Sequence, residues 1–386
     1  LNRVIIIFQR ILPHYRVGVF KEFIRKFPGT EIFYGQPFKG ESLSNAVIED
    51  SSFIKCKNIY FGRKENFFVS NIYGKLFRQK PGIIITVFNV GNLNIYFLFF
   101  LKIFLKHKII LWSFGYDPVR GFDPGENFAD KVRLYLSQKA DAVIFYWDKG
   151  LDEVSKFSNR KDHYFVARNT IDTTKQSELK KTFDITGREN LKKELGIKEK
   201  YHFIYTGRLI EDKQADLLLK AFAMVEKKIT DARLTIIGGG PEKKSLEHLA
   251  GNLEIKNIIF KGEITDEQTT GKWIYVSDAF VMPGRLGLSV IHSFCFGTPV
   301  ISQNKKDHFH GEGIGYIKEG LNGYLTEDGN AAELAEKMLL IINDSKLSDT
   351  LRENSFHTAM NEGSVENMIA GFGQAIDFVR RNSDKK

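Results

Sequence analysis

The chain has 386 residues, 42% of them hydrophobic and 13% aromatic, which is enough for two cores of domain size and argues against wholesale disorder. Its two cysteines, Cys56 and Cys295, are too few for a secreted disulfide framework and lack metal-ligand spacing, so a reducing, cytoplasmic setting is expected. The net charge of +9 is uneven, with 26 Lys and Arg against 16 Asp and Glu in residues 1–172, and 30 against 31 in the rest.

The chain opens on an apolar strand, Val4 to Phe8, that runs into polar residues without the order of a secretory signal. Further strands are expected at Glu31 to Tyr34, Ile83 to Val87, Lys108 to Trp112 and Ala142 to Phe145. Helical periodicity covers Val17 to Lys26, Asn66 to Phe77, Leu93 to Leu105 and Asn127 to Gln138. Such alternation implies βαβ units and a parallel sheet. The most lipid-like of these segments, Leu93 to Leu105, has 13 residues and includes Asn94 and Lys102, whereas a spanning helix needs about 20.

Residues 51–110 hold ten basic residues (Lys55, Lys57, Arg63, Lys64, Lys75, Arg78, Lys80, Lys102, Lys106 and Lys108) and one acid, Glu65, among many aromatics. This pattern suits an anionic membrane surface and peripheral attachment. The plainer reading is a solvated basic face over an ordinary core. Nucleic acid is disfavoured, because no recognition module accompanies the charge.

Residues 173–200 turn polar and read as an interdomain connection with one short helix, Glu189 to Leu195. A second alternating array follows. Its strands are expected at Phe203 to Thr206, Leu234 to Ile237, Ile258 to Phe260, Ala279 to Met282 and Val300 to Ser302. Its helices are expected at Ala215 to Lys228, Leu288 to Phe296, Ala331 to Ile342 and Asn367 to Arg380. The expected class is α/β with two doubly wound parallel-sheet domains, 1–172 and 201–364, and a terminal helix within 365–386 packing back toward the first. Ligands of such sheets bind at the carboxyl ends of the strands.

Three loops stand at those ends in the second array. Gly207-Arg208-Leu209 continues to Lys213, and this pair of cations suits two phosphates, or is solvated surface charge. Gly238-Gly239-Gly240-Pro241 lets backbone approach a ligand, or is a tight turn. It is neither a dinucleotide fingerprint nor a P-loop. Pro283 to Ile301 leads through Gly284, Arg285 and Gly287 to a helix whose first amides, near Leu288, could hold an anion. His292 lies a turn further on, where a lone histidine is more often packed than functional. In the first array, His14, Tyr15 and Arg16 follow the first strand and are candidates for acceptor or phosphate contact, or ordinary loop polarity.

The order of Gly207-Arg208-Leu209 with Lys213, Ile236-Ile237-Gly238-Gly239-Gly240-Pro241, Lys261-Gly262, Ser277-Asp278-Ala279, Pro283 to Ile301 and Gly320-Leu321-Asn322-Gly323-Tyr324-Leu325 resembles the donor domain of glycosyltransferase family 4. These are retaining, nucleotide-sugar-dependent enzymes with two Rossmann-like domains facing a cleft, the GT-B fold. The resemblance covers residues 203 to about 345, and more weakly Leu12-Pro13-His14-Tyr15-Arg16, Trp112-Ser113-Phe114-Gly115, Tyr146 to Gly150 and Ala167 to Asp172. It implies that Arg208 and Lys213 grip the donor diphosphate and stabilise the leaving nucleotide without an obligatory metal. It also implies that Gly238 to Gly240 pass near the nucleotide, that Glu263 and Ile264 meet the base, and that amides near Gly287 and Leu288 hold the distal phosphate. The donor would be a UDP- or GDP-sugar, and the acceptor a hydroxyl of a glycan or lipid-linked glycan.

Two positions depart from the family pattern. Its two glutamates, eight positions apart, are here Gly284 and His292, which resembles a bacterial branch with Pro-Gly-x-x-Gly-Leu before His-Ser. His292 could bond the ribose, but Gly284 offers the sugar no carboxylate. Phe114 stands where relatives carry a histidine, with Arg285 a candidate replacement, and Asn169 is expected to brace the interdomain strand and loop. A non-catalytic nucleotide-sugar binder, a nucleotide-sugar epimerase or a phosphorylase of this fold are the alternatives. A dehydrogenase is disfavoured because Gln9-Arg10-Ile11-Leu12-Pro13 is not a dinucleotide turn.

Overall fold

The computed structural model describes residues 5–41, 44–78, 82–117, 120–305 and 310–383; Val4 and Lys80 of the expected features lie outside them. The chain divides into two compact units, Leu1–Asp172 with Val365–Lys386, and Thr173–Ser364.

The first unit contains strands β1 (Ile5–Gln9), β2 (Glu31–Tyr34), β3 (Phe53–Lys55), β4 (Asn58–Phe61), β5 (Phe67–Ser70), β6 (Ile83–Phe88), β7 (Lys108–Ser113), β8 (Ala142–Phe145) and β9 (Tyr164–Val166). Its helices begin with α1 (His14–Lys26), α2 (Tyr73–Arg78), α3 (Leu93–Leu105), α4 (Phe128–Lys139) and α5 (Asp148–Ser155). Seven strands form a parallel sheet in the order β3-β2-β1-β6-β7-β8-β9. Strand β1 is buried along its whole length, and its unbroken run of apolar residues is what a parallel sheet covered on both faces requires.

The second unit contains α6 (Thr173–Thr186), α7 (Arg188–Glu194), β10 (Tyr201–Thr206), α8 (Ala215–Lys228), β11 (Ala232–Ile237), α9 (Lys243–Asn252) and β12 (Ile258–Gly262). It continues with α10 (Glu267–Tyr275), β13 (Ala279–Val281), α11 (Ser289–Cys295), β14 (Val300–Asn304), β15 (Gly323–Glu327), α12 (Ala331–Asn343) and α13 (Ser345–Asn361). Its sheet runs β12-β11-β10-β13-β14-β15, with all neighbours parallel. Helix α14 (Val365–Ser383) closes the chain within the first unit, where Phe372 meets Phe23 of α1 and Trp112 of β7 edge to face at 5.5 and 5.1 Å. Gly371 permits that approach, since a Cβ there would lie 2.3 Å from the Val166 carbonyl oxygen. Both units are therefore Rossmann-like, and strand order reverses between β1 and β6 in one and between β10 and β13 in the other.

Three expectations need correction. The helix expected over Asn66 to Phe77 is strand β5 followed by the short α2, with β5 pairing antiparallel to β4. Phe68, Ile72 and Leu76 recur every fourth residue and are all buried, so a helical period emerges by coincidence across a strand and a helix. The polar stretch 173–200 is mostly the helices α6 and α7. Phe183 is the one large apolar side chain that α6 buries, which gives periodicity almost nothing to register. The helix expected from Leu288 to Phe296 is shorter, Ser289–Cys295.

Candidate functional site

Around the crevice between β10 and β13 stand Gly207, Gly238, Gly239, Gly240 and Gly284. Gly207 donates its amide to the Ile237 carbonyl, and Leu209 donates to Gly239, so the loops after β10 and β11 are laced together. That lacing accounts for two of the glycines. A Cβ on Gly238 would lie 1.8 Å from the Gly207 carbonyl oxygen and one on Gly240 2.3 Å from that of Leu209, and both have φ near +150°. Gly238 and Gly240 are thus required by packing of loop on loop. Gly239 has the side chain of Glu263 as its nearest neighbour, which brings the second glycine loop to the residue after β12 expected to meet a base.

The turn carrying Lys213 is held from the other side of the crevice. Gly284 donates its amide to the Lys213 carbonyl at 3.1 Å, and Arg285 donates to that of Asp212 at 2.7 Å. A Cβ on Gly284 would stand 2.2 Å from the Lys213 carbonyl carbon. The position therefore cannot carry a glutamate in this backbone arrangement, and glycine there is a condition for placing Lys213. The loop behind is fixed by His310, whose Nδ1 accepts from the Leu286 amide at 3.3 Å and whose Nε2 donates to the Gln303 carbonyl at 2.8 Å. Neither Gln303 nor His310 was expected, because both lie beyond the glycine-rich run that drew attention to this loop.

Three cations converge on this frame. The Lys213 ammonium is part-buried, donates to the Arg285 carbonyl and touches the Met282 sulfur at 3.7 Å. Burial first, then the neighbouring charges of Arg208 and Arg285, push its pKa down to about 8. Arg208 is exposed, and its carbonyl is anchored by the hydroxyl of the buried Tyr205 at 2.9 Å. Among the described residues neither Arg208 nor Arg285 makes an ion pair. Unpaired like charges in a partly dehydrated crevice repel one another, and an anion bridging them would relieve that repulsion. The amides of Gly287, Leu288 and Ser289 open α11 without an acceptor among the described residues, adding donors of the same polarity.

His292 sits on α11 with its ring 5.6 Å from that of Phe296. Burial pushes its pKa down to about 4, against an opposing pull from Glu267, so the imidazole is neutral near pH 7. Its Nε2 is buried without a partner among the described residues, and a ligand hydroxyl would have to meet Nδ1 or follow a ring flip. Ile264 accepts a long contact from Thr270 through its carbonyl.

The candidates in the first unit have different surroundings. His14 and Tyr15 are exposed at the start of α1. Arg16 is buried, with its guanidinium 4.6 Å over the Trp112 ring and 5.4 Å over that of Tyr15, and its Nη1 has no hydrogen-bond partner among the described residues. Phe114 packs into an aromatic cluster with Tyr116, Tyr146 and Trp147, an apolar role that a histidine would fill poorly. Asn169 is buried, and its amide donates to the Tyr146 carbonyl at 2.9 Å. No group of His, Cys, Asp and Glu able to hold a metal occurs among the described residues.

Two Rossmann-like units, one with glycine loops and unpaired cations at its switch point, define an α/β architecture that matches solved GT-B structures. The Anabaena protein HepE, solved in complex with UDP, is similar with a TM-score of 0.70 at 14% identity, over 97% of this chain and 99% of that one. WaaG, described as a glycosyltransferase involved in lipopolysaccharide biosynthesis, gives 0.65 at 13% identity over 97% and 99%. Residues 187–358 match the family described as glycosyl transferases group 1. Among curated proteins, the poly(glycerol-phosphate) alpha-glucosyltransferase of Bacillus subtilis is 23% identical over 244 residues, 61% of this chain and 33% of that protein. The chain spans 33% to 58% of the length of the first curated relatives it matches.

Proposed function

We propose that this protein is a retaining glycosyltransferase that moves a sugar from a nucleoside diphosphate sugar to a hydroxyl of a glycan or lipid-linked acceptor, in the assembly of bacterial surface polysaccharide. The observation that carries the reading is the convergence of Arg208, Lys213 and Arg285 in the crevice of the second sheet, where no carboxylate among the described residues pairs with Arg208 or Arg285. The family match over that unit and the UDP complex of HepE support a nucleotide as the anion these cations would hold. The name of WaaG supports the polysaccharide setting.

In this reading Arg208 and Lys213 bind the diphosphate and stabilise the negative charge that grows on it as the glycosidic bond breaks, with no metal obligatory. The departing phosphate oxygen, on the same face as the incoming hydroxyl, takes the acceptor proton, so no protein nucleophile is needed. Glu263 and Ile264 lie toward the base, and neutral His292 toward the ribose. A panel of UDP- and GDP-sugars assayed for hydrolysis and transfer tests the reading. Turnover of one of them is expected, and nucleotide binding without turnover of any donor would favour instead a non-catalytic sugar-nucleotide binder. That second reading draws on Gly284, where the Lys213 backbone leaves no room for a carboxylate.

A pH dependence follows from Lys213. Its ammonium loses its proton near pH 8 in the free protein, and a bound diphosphate would hold the proton on, raising the pKa in the complex. UDP or GDP affinity should stay level from about pH 7 to 8 and then fall by up to about tenfold per pH unit. Calorimetric titrations across that range check this, and affinity unchanged to about pH 9.5 would show that Lys213 does not meet the nucleotide.

A further inference from the structure

Helix α3 is apolar almost all round, yet it is covered on one side only. Ile95, Leu98 and Leu101 face the core, while Tyr96, Phe97, Phe100, Ile103 and Phe104 form the opposite stripe at helical spacing. Phe100, Ile103 and Phe104 are 55%, 73% and 65% exposed, where a helix of this composition is normally buried. The stripe continues onto neighbouring elements: the Tyr73 ring of α2 meets that of Phe97 at 4.4 Å. The adjoining hairpin, tied to α3 by the Ser70 amide donating to Asn94, exposes Ile59, Phe61 and Phe67. Apolar surface of this extent on a folded unit marks an interaction site.

Charge identifies the occupant. Lys55, Lys57, Arg63 and Lys106 are all exposed, and none makes an ion pair among the described residues. Lys106 directly caps α3 after Phe104 and Leu105, and Arg63 lies in the hairpin turn beside Phe61. A second copy docking through a twofold axis would set these cations against themselves. An apolar patch edged by unpaired cations matches the interface of an anionic bilayer, whose headgroups meet the bases while aromatic side chains enter the acyl boundary. No helix among the described residues is long and apolar enough to cross a membrane, which leaves attachment in the plane of the surface as the geometry available to α3.

We propose that the outer stripe of α3, with the β4–β5 hairpin and the cations at Lys55, Lys57, Arg63 and Lys106, docks the first unit on an anionic lipid bilayer. The surface lies in a different unit from the cation crevice, so the proposal is independent of the proposed transfer reaction. The test is flotation of the full chain with vesicles of phosphatidylglycerol and phosphatidylcholine in equal amounts, against phosphatidylcholine alone, at low and high salt. Binding to the anionic vesicles is expected to be at least about tenfold tighter and weakened by salt. Phe100→Asp with Phe104→Asp, and separately Arg63→Glu with Lys106→Glu, should each lower it by about tenfold or more. Circular dichroism and the thermal midpoint confirm that both variants fold. Equal binding to both vesicle types, or variants that float as the wild type does, would overturn the proposal. So would a wild-type chain that ignores vesicles but sediments as a dimer dispersed by the two aspartates.

Discussion

Arg208→Ala is expected to lower sugar transfer by about 10²–10³-fold, and Lys213→Ala by a similar factor, chiefly in kcat. Both cations act on charge that is larger on the departing diphosphate than on the bound donor, so their loss weighs on the transition state more than on the ground state. They share one anion, and the double variant should therefore fall well short of the product of the two single effects. Lys213 carries a further signature. Its pKa in the fold is lowered, so its charge costs stability below about pH 8, and that cost fades as pH rises toward the unfolded value. Lys213→Met should therefore stabilise the unliganded second unit at neutral pH by on the order of 1–2 kcal/mol while removing activity. Steady-state kinetics with thermal melts separate the effects. A Lys213 variant that keeps full turnover, or is both inactive and less stable, would contradict this assignment.

Asp278→Ala should damage the fold rather than the chemistry. Its carboxylate takes the Arg188 guanidinium at 2.8 Å and the His202 amide at 2.8 Å. Beside it, Arg352 donates to the carbonyls of Ser277 and Tyr275, tying α13 to the end of α10. Burial would push the Asp278 pKa up, but Arg188, the His202 amide and Lys192 together hold it below the usual carboxylate value. Burial, reinforced by Arg188, brings Arg352 down to about 9. Removing the carboxylate leaves buried cations uncompensated, at about 3–5 kcal/mol. The melting transition of the second unit should drop by on the order of 10 °C. Because the carboxyl is depressed, its contribution is present at neutral pH and is lost as pH falls below about 4. A drop of less than about 2 °C would show that the cluster tolerates the loss.

Strands such as β1 and β8 were legible because parallel sheets need unbroken apolar runs, and Ile5-Ile6-Ile7-Phe8 or Ala142-Val143-Ile144-Phe145 meet that demand without outside help, whereas the shorter or more polar β3, β9 and β15 were not read. Strands β4 and β5 were not, since they turn Ile59, Phe61 and Phe67 to the surface and bury Asn58 and Ser70. That inverts the alternation by which a half-buried hairpin is recognised. In the crevice, residue types suggested Arg208 and Lys213 but not what positions them. Gly284 reads as a missing carboxylate in the sequence, whereas in three dimensions it is the space into which the Lys213 turn fits. Gly238 and Gly240 read as a ligand-facing loop or a tight turn, and in three dimensions each also makes room for the carbonyl of the neighbouring loop. Such roles depend on pairs 30 to 70 positions apart, which no local pattern encodes. The motif Ser277-Asp278-Ala279 was conspicuous in the sequence, and its partners Arg188 and Arg352 lie about 75 to 90 positions away.

Calorimetric titration of the full chain with UDP and with GDP, in the wild type and in Arg208→Ala with Lys213→Ala, bears most directly on the cation crevice as a diphosphate site. One nucleotide should bind the wild type and lose on the order of a hundredfold or more in affinity in the double variant. A double variant that binds as tightly as the wild type, or a wild type that binds neither nucleotide, would contradict it.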